Sequence, residues 1–393
     1  MNFSRLVANI PANGNRKTIS PAASSAASPS TWLAKAVRAA LSLSLLALPP
    51  ASVYAQSPFL PPPPATVSTV PSNGDVNPYG VAFVPPRFAF GGTIQPGDIL
   101  VSNFNNSANL QGTGTTIVSV TPSGKTGLFY QGKTGLGLTA ALGVVRTGFV
   151  FAGNMPTSDG TSATAKPGSI LVLNDRGILL GYLGGQSTVN GPWGMAINDH
   201  GQQVQIFVSN VLNGTVVRFD LFITEQTGTI SIIDSVVIAS GLPHRPDPAA
   251  LELGPSGLAY DERNDILYVA DSADDTVRAI NFAGSLTSAG SNTVIYQDNT
   301  HLHGPLDLVL APNGHLLVAN SDGNNVDPNQ PSEIVEFNTG GEFVTQFSVD
   351  PNNGGAFGVN IQNVGGAYRF AAVDDNQNAL ILSTIIPTSI SAR

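Results

Sequence analysis

Short apolar runs broken by turn residues recur along the chain between residues 77 and 386. The stretch HGPLDLVLAPNGHLLVANSDG (303–323) is representative, with the runs LDLVLA and HLLVAN on either side of the turn Pro312-Asn313-Gly314. Asn-Gly between two apolar runs strongly predicts a β-hairpin. Runs of this length, bounded by Gly, Pro and Asn, are too short for a typical helix. The pattern therefore predicts an all-β chain.

The first half of this hairpin occurs six times. The copies are NPYGVAF (77–83), AALGVV (140–145), GPWGMAI (191–197), GPSGLAY (254–260), GPLDLVL (304–310) and GAFGVNI (355–361). They share one position, which we name the marker, occupied in turn by Gly80, Gly143, Gly194, Gly257, Asp307 and Gly358. A glycine at this place indicates a tight approach of neighbouring backbones.

The second half of the hairpin, an apolar run that ends in Asn or Asp, also recurs six times. These strand-end residues are Asn103, Asn154, Asn210, Asp271, Asn320 and Asp374. A third apolar segment follows each copy, and a fourth follows all but the last. A repeat of four short strands every 50–63 residues is typical of a β-propeller with one blade per repeat.

The sequence thus predicts a six-bladed β-propeller of four-stranded antiparallel blades over residues 65–386, followed by a C-terminal tail at 387–393. The strand ATVSTV (65–70) has no partner in its own repeat, and the sixth repeat lacks its fourth strand. We expect this N-terminal strand to complete the sixth blade and close the ring, which would remove an exposed sheet edge.

The repeat P-x-G-(V/L)-A-(turn)-(L/I)-x-V-(A/S)-(D/N) resembles the NHL repeat and its relatives, the gluconolactonase-like and strictosidine-synthase-like propellers. The resemblance covers residues 77–386. It implies the propeller fold but does not choose between interaction modules and enzymes, because both occur on this fold.

The N-terminal region reads as a leader over residues 1–55. Lys35 and Arg38 precede the apolar run AALSLSLLAL (39–48), and Val53-Tyr54-Ala55 place small residues at the −3 and −1 positions of a cleavage site. Ten residues are too few to span a hydrocarbon core of about 30 Å. We therefore expect a secretory signal peptide, a Pro-rich linker at 56–64 and an exported chain, periplasmic or extracellular, with no transmembrane segment after cleavage.

Removal of the leader makes the chain more acidic. The whole sequence has a formal net charge of −9, but the leader holds five of the 17 basic residues and none of the 26 acidic ones, which leaves a net charge of −14. A surface of this sign disfavours nucleic acid as a partner. The chain has no cysteine, which excludes disulfides and thiolate metal sites.

Candidate metal ligands follow from the related enzymes. Gluconolactonase-like propellers hold a metal with side chains at the starts of the innermost strands, and among the marker positions only Asp307 could act in this way. An amidating lyase is similar in using a pattern H-x-x-x-P-x-D, which occurs here from His301 to Asp307 and includes His303. The resemblance therefore implies a divalent cation, calcium or zinc, on His301, His303 and Asp307, with His244 on the same side.

Two further sets of residues are candidates for binding. The six strand-end residues named above lie at the same end of each blade as the strand starts, so some of them could form a polar ring around a ligand or an ion. The stretch NSDGNNVDPNQPSE (320–333) imitates a calcium loop through Asp322, Asn324 and Asp327, although Asn, Asp, Gly and Pro also simply make turns. His315 is expected in a turn at the opposite end, outside any site.

Two functions remain open at this point. The first is a monomeric, non-catalytic propeller that binds a partner protein, a glycan or a small ligand at its top face or in its channel. The alternative is a metal-assisted hydrolase or lyase with its site in the axial channel. The sequence contains no G-x-S-x-G, H-E-x-x-H or Walker motif that would favour another enzyme class.

The leader generates a first prediction. Protein recovered from outside the cytoplasm should begin at or near Gln56, because cleavage after Ala55 follows from the flanking pattern. Amino-terminal sequencing checks this. Exported material with an intact Met1, or a protein found only in the cytoplasm, would contradict it.

Overall fold

The computed structural model describes residues 58–60, 65–89, 91–185, 188–224, 228–321, 329 and 331–386. The leader at 1–55, the calcium-like loop residues Asp322, Asn324 and Asp327, and the tail at 387–393 lie outside the described residues. In chain order, the strands are β1 (Ala65–Ser68), β2 (Val76–Phe83), β3 (Ile99–Asn105), β4 (Thr116–Val120), β5 (Thr126–Gln131), β6 (Leu138–Val145), β7 (Phe149–Asn154), β8 (Ser169–Asn174), β9 (Leu179–Leu183), β10 (Pro192–His200), β11 (Gln203–Asn210), β12 (Thr215–Thr224), β13 (Thr229–Ala239), β14 (Arg245–Asp247), β15 (Leu251–Leu253), β16 (Pro255–Asp261), β17 (Ile266–Asp271), β18 (Thr276–Asn281), β19 (Asn292–Gln297), β20 (Pro305–Leu310), β21 (His315–Asn320), β22 (Glu333–Asn338), β23 (Phe343–Ser348), β24 (Ala356–Val364), β25 (Ala367–Asp374) and β26 (Ala379–Ile385). A single 3₁₀ turn, Ser162–Thr164, accompanies them within this part of the chain.

The strands form six four-stranded antiparallel sheets, which are the six blades of a β-propeller. Blades 1 to 5 consist of consecutive strands: β2–β5, β6–β9, β10–β13, β16–β19 and β20–β23. In each blade the first strand is innermost and carries the marker position. The predicted fold class is confirmed, and each predicted repeat corresponds to one blade.

The sixth blade has the strand order β1-β26-β25-β24. Its outermost strand β1 pairs antiparallel with β26, with Ala65 opposite Leu382 and Ser68 opposite Ala379. The backbone N–H and the hydroxyl of Thr69 both donate to the carbonyl of Asn378, at 2.9 and 2.8 Å. The first strand of the described propeller therefore lies beside the last one. That this pairing holds the ring closed is a prediction about stability, tested below.

The marker glycines of blades 1, 3, 4 and 6 lie where neighbouring innermost strands touch. The predicted marker of blade 2 is wrong: the strand register puts Ala141 at the equivalent level, and a Cβ atom on Gly143 would meet only the side chains of Ile197 and Met195. A Cβ atom on Gly194 would be 2.0 Å from the carbonyl oxygen of Ser256, and one on Gly257 would be 2.3 Å from the Cα of Asp307. No side chain larger than hydrogen fits such gaps without a shift of the backbone. The repeated glycine is thus a steric requirement of packing six strands around one axis.

Hydroxyl groups link these innermost strands from blade to blade. Four side chains each donate a hydrogen bond to a backbone carbonyl of the next blade: Ser102 to Thr139 (2.8 Å), Thr139 to Pro192 (2.6 Å), Ser209 to Ser256 (2.5 Å) and Ser256 to Pro305 (2.9 Å). Because all four hydroxyls are buried among apolar strands, each bond satisfies a carbonyl that water does not reach.

The apolar core lies between adjacent blades. Every residue of β3 and of β21 is buried, whereas the outermost strands β5 and β9 leave side chains such as Leu128 and Tyr182 exposed. Inner strands packed on both faces are expected to be apolar throughout, as the sequence pattern indicated.

A segment ahead of β1 is anchored on blade 5 by a buried carboxylate. The backbone N–H groups of Phe59 and Leu60 donate to Glu336, at 2.8–3.0 Å, and His315 Nδ1 donates to the same carboxylate at 2.6 Å. The side chains of His315 and Glu336 are 4% and 0% exposed. His315 is thus not a turn residue at the surface, as the sequence suggested, but the first residue of β21 and part of a buried anchor.

These contacts predict the effect of a truncation. Deleting residues 56–71 should lower the melting temperature in one cooperative transition, because it removes β1 from the sixth blade and leaves Glu336 without the two N–H donors of the anchor. Thermal unfolding followed by circular dichroism measures this. Deletion of residues 387–393 is the control and should have little effect. An N-terminal truncation that melts with the parent protein would show that β1 does not close the ring.

Candidate functional site

The channel along the propeller axis has two distinct ends. All six innermost strands run in the same direction, so residues before the marker lie toward one end and residues after it lie toward the other. We name these the start end and the finish end. The candidate site predicted from the sequence lies at the start end.

An aromatic plug fills the start end. It consists of Tyr79, Trp193 and Phe357, each directly before a marker glycine, together with Phe104 and Leu306. The Tyr79 ring stacks on Phe357 with centroids 4.6 Å apart and meets Trp193 edge-on at 5.7 Å. Offset and edge-on pairs are the favoured aromatic arrangements. All five side chains are buried, so the plug leaves no room for a polar ring on the axis.

The hairpin β14–β15, between blades 3 and 4, covers this plug. Leu251, with φ of +66°, packs into the same apolar cluster as Tyr79 and Trp193. The Ser162 hydroxyl of blade 2 donates to the Leu251 carbonyl, and Gln111 of blade 1 donates to the carbonyl of Ala249 at 2.9 Å. The hairpin is therefore tied to two blades besides those it connects.

The finish end of the channel is open and holds the axial cavity. This cavity has a volume of about 540 Å³ and is lined mainly by residues at and after the marker level (Ala141 in blade 2), including Leu142, Val144, Met195, Ile197, Leu308 and Ile361. A groove of about 460 Å³ continues from it across blades 4 to 6, and both share Tyr260, Leu310 and Asn363. A cavity of this size, with aliphatic side chains and exposed polar groups in its wall, is typical of a small-molecule site.

Asp307 is the carboxylate in the wall of the axial cavity. Its Oδ1 accepts from the backbone N–H of Leu308 and its Oδ2 from that of Val359 in blade 6, both at 2.9 Å. Burial raises the pKa of Asp307 to about 7, although the two N–H donors act in the opposite direction. The aspartate therefore replaces the marker glycine with a hydrogen-bonded link between blades 5 and 6.

Two amides of blade 6 make the corresponding link to blade 1. Asn360 Nδ2 donates to the carbonyl of Val81 at 2.9 Å, and its Oδ1 accepts from the N–H of Ile361 at 2.8 Å. Gln362 Nε2 donates to the carbonyl of Val84 at 2.8 Å. These polar side chains of the cavity wall thus join neighbouring blades.

The proposed ligand set His301, His303 and Asp307 is not brought together. His301 Nδ1 donates to Asp298 at 2.7 Å and its ring stacks on Phe343, while His303 Nε2 donates to the carbonyl of Thr300 at 3.2 Å. His244 Nδ1 donates to the carbonyl of Leu242 at 3.1 Å. Neither His301 nor His303 lines the axial cavity. Among the described residues, no group of three or more His, Asp or Glu could hold a metal ion.

The six strand-end residues are all buried, but they bond to local turns and strands rather than to one another. Their partners are the Thr116 hydroxyl for Asn103, the Ser169 hydroxyl for Asn154, the Asn190 N–H for Asn210, the Ala273 N–H for Asp271, the His301 carbonyl for Asn320 and the Gln377 N–H for Asp374. None of the six lines the axial cavity. Asp271 and Asp374 thus cap the turn after the second strand of their blade. Asn103 and Asn154 bond to the third strand, and Asn210 and Asn320 to the segment before the first strand.

Sequence reasoning identified Asp307 but missed the plug. The residues directly before the markers are Tyr79, Leu142, Trp193, Ser256, Leu306 and Phe357. Four of these six, Tyr79, Trp193, Leu306 and Phe357, form the plug, and they were the available signal that the start end is filled. Leu142 lines the axial cavity instead. No repeat signal pointed to the hairpin β14–β15, which occurs only once.

No protein-family model matches the chain, and a search of curated proteins finds no match. Solved structures with a similar fold include a gluconolactonase from Xanthomonas campestris, at 11% identity and a TM-score of 0.47, covering 84% of this chain and 98% of the other. A luciferin-regenerating enzyme has 11% identity, a TM-score of 0.47 and coverage of 83% and 96%. The calcium-binding protein regucalcin from Agrobacterium tumefaciens has 11% identity, a TM-score of 0.49 and coverage of 82% and 95%.

The blade topology shows that this chain is an all-β six-bladed propeller. Its axial cavity opens at the finish end. Within the described residues, no helix has the length and apolar character needed to cross a membrane.

The buried carboxyls predict how stability depends on pH. Burial raises the pKa values of Asp307, Asp271 and Glu252 to about 7, above the values near 4 of the unfolded chain. The folded state then binds more protons than the unfolded state between about pH 4 and 7, so stability should rise as the pH falls from 8 to 5. Thermal melts across this range measure the slope.

The Asp307→Asn variant measures how much of the pH dependence of the melting temperature comes from Asp307. Asparagine does not titrate, so the rise in melting temperature between pH 8 and 5 should be smaller than in the parent protein. Asp234→Asn, which removes an exposed carboxylate from β13, should leave the slope unchanged. Equal slopes in Asp307→Asn and the parent protein would contradict a raised pKa at Asp307.

Proposed function

We propose that this chain is an exported, non-catalytic binding module whose axial cavity takes the apolar part of a small ligand or of a partner molecule. The observation that carries the proposal is the cavity of about 540 Å³, which is open at one end and has aliphatic side chains from all six blades in its wall, beside exposed polar groups. Burial of apolar surface contributes about 25 cal/mol per Å², so a ligand that fills this space gains affinity without any charged contact.

The mouth of the cavity favours a ligand whose polar end is neutral or cationic. The adjoining groove carries Asp261 and Glu262 against the single base Arg263, with Tyr260 and Tyr368 beside them. The chain as a whole is also acidic, with a net charge of −9. Anionic ligands are repelled by a surface of this sign.

Asp307 favours a second candidate, a hydrolase or lyase that acts in the same channel. A carboxyl with a pKa of about 7 beside a cavity is suited to general acid–base catalysis near neutral pH. Against this role, both of its oxygens already accept backbone hydrogen bonds.

A neutral solvatochromic dye, Nile red, tests the binding proposal. The dye should bind the purified protein with one-to-one stoichiometry and a blue-shifted emission. Met195→Trp, which fills the cavity, should weaken binding by about tenfold or more, the equivalent of about 1.4 kcal/mol. Ile233→Trp adds the same side chain to the exposed outer strand β13 and should bind as the parent protein does.

Equal dye affinity in the parent protein and the Met195→Trp variant would place the dye elsewhere and refute the binding site. The enzyme candidate is separated by assaying lactone and ester hydrolysis with added calcium, magnesium or zinc. We expect no turnover that depends on Asp307. Turnover that is lost in Asp307→Asn, in a protein that still binds Nile red, would replace the binding function with the catalytic one.

A further inference from the structure

Two positions of the repeat carry an exceptional residue, one on each side of the junction between blades 6 and 1. The first is the residue that follows each strand end. Blades 1 to 3 place Phe104, Met155 and Val211 there, all within the apolar cluster of the plug. Blades 4 and 5 place serines, whose hydroxyls donate to the carbonyls of Gly254 and Gly304. Blade 6 alone places a carboxylate, Asp375, at this position.

The second position is three residues before the marker. Glycine occupies this place in blades 3 to 6, and Gly191 and Gly304 have φ angles of +71° and +66° there. Blade 1 has Asn77 instead, with φ of +60°. Asparagine tolerates this left-handed conformation better than most residues do. Because glycine suits this backbone conformation, the conformation alone does not account for the asparagine side chain.

Asn77 and Asp375 act on the same buried group. The Asn77 side chain hydrogen-bonds the hydroxyl of Tyr79, and the negative charge of Asp375 acts on that hydroxyl from blade 6. The backbone N–H of Asn77 also donates to Asn378 Oδ1 at 2.7 Å, in the turn that contains Asp375. The two exceptional residues thus lie on opposite sides of the blade junction, and both are close to the Tyr79 hydroxyl.

The oxygens at this junction lack hydrogen-bond donors. Asn77 is 7% exposed and Asn105 is 2% exposed, and the Oδ1 atom of each has no hydrogen-bond partner. The half-buried carboxylate of Asp375 accepts no hydrogen bond from the described residues, and Asp374 beside it adds a second negative charge. Unpaired buried oxygens are costly, and an unpaired buried carboxylate costs more.

The junction is also accessible. A pocket of about 300 Å³ opens onto it, lined by Val76, Ser107, Asn109, Asp375, Asn376 and Asn378. Asn105 Nδ2 donates to Asn109 Oδ1 at 2.7 Å, which connects the buried amide to the pocket wall. A small ligand can therefore reach Asp375 from solvent.

We propose that the junction of blades 6 and 1 binds a hard divalent cation of the calcium class, with the Asp375 carboxylate and the Asn77 amide oxygen as its protein ligands. Carboxylate and amide oxygens without nitrogen or sulfur ligands favour calcium or magnesium over zinc. A cation supplies the positive charge that these oxygens lack. Because the set has one direct carboxylate, the remaining ligands are water, and we expect a Kd of about 10⁻⁴ to 10⁻³ M.

Calcium itself is the probe. The purified chain is treated with EDTA, dialysed, and titrated with CaCl₂ while heat of binding and melting temperature are measured. Calcium should raise the melting temperature with single-site stoichiometry. Asp375→Ser, which installs the residue of blades 4 and 5, and Asn77→Gly, which installs the residue of blades 3 to 6, should each weaken binding at least tenfold.

The metal-free melting temperature separates binding from a structural role. Without calcium, Asp375→Ser should melt at or above the parent protein, because the variant removes an unpaired buried charge. Asp234→Asn, on the exposed face of β13, should keep the parent's affinity for calcium. The proposal is overturned if the parent protein does not bind calcium, or if Asp375→Ser melts lower without calcium and retains the full calcium shift.

Discussion

Contact between the backbones of six innermost strands is the constraint from which the rest of this structure follows. At Gly358, a Cβ atom would lie 2.1 Å from the carbonyl oxygen of Tyr79 in the neighbouring blade. Such contacts fix the height of each blade relative to the next, since a shift of one residue would bring a side chain into the gap and turn each strand over. The hydroxyl bonds from Ser102 to Thr139 and from Ser209 to Ser256 hold the same alignment. Blade 5 meets the same constraint differently. Asp307 occupies the marker position there, and its side chain accepts a hydrogen bond from the innermost strand of the next blade.

This constriction divides the channel into two compartments of opposite character. Before the constriction, the aromatic side chains of Tyr79, Trp193 and Phe357 meet on the axis, and each aromatic pair contributes about 0.5–1.5 kcal/mol beyond the area it buries. After it, the aliphatic side chains are too short to meet, and the axial cavity remains. The difference in side-chain size on the two sides of the marker thus decides which end is open. The proposed ligand-binding role of the finish end rests on this packing rather than on a catalytic motif.

The repeat determined what could be predicted from the sequence. Gly80, Gly194 and Gly257 mark equivalent strands because every blade meets the same constraint, so the blade number and the fold class could be predicted. The open end of the channel was not predicted, although the large side chains directly before the markers, Tyr79, Trp193 and Phe357, indicate that the start end is filled. The unique features were missed for a different reason. His315 pairs with Glu336, which also holds Phe59, 277 residues away from Glu336 in the sequence. Asn77 differs from the repeat in a way that has meaning only beside Asp375.

The neighbouring positions of β1 and β26 give the ring a mechanical weak point. Ala65 pairs with Leu382 and Ser68 with Ala379, so the chain leading into β1 and the chain leaving β26 emerge at the same end of this strand pair. A force applied between the two ends of the propeller would therefore peel the pair apart one rung at a time instead of shearing all its hydrogen bonds together. Once the bonds from Phe59 and Leu60 to Glu336 have broken, the four residue pairs of the two strands and the bonds of Thr69 to Asn378 oppose that motion. We expect the ring to open under tension at this seam, and the other five blades to yield afterwards.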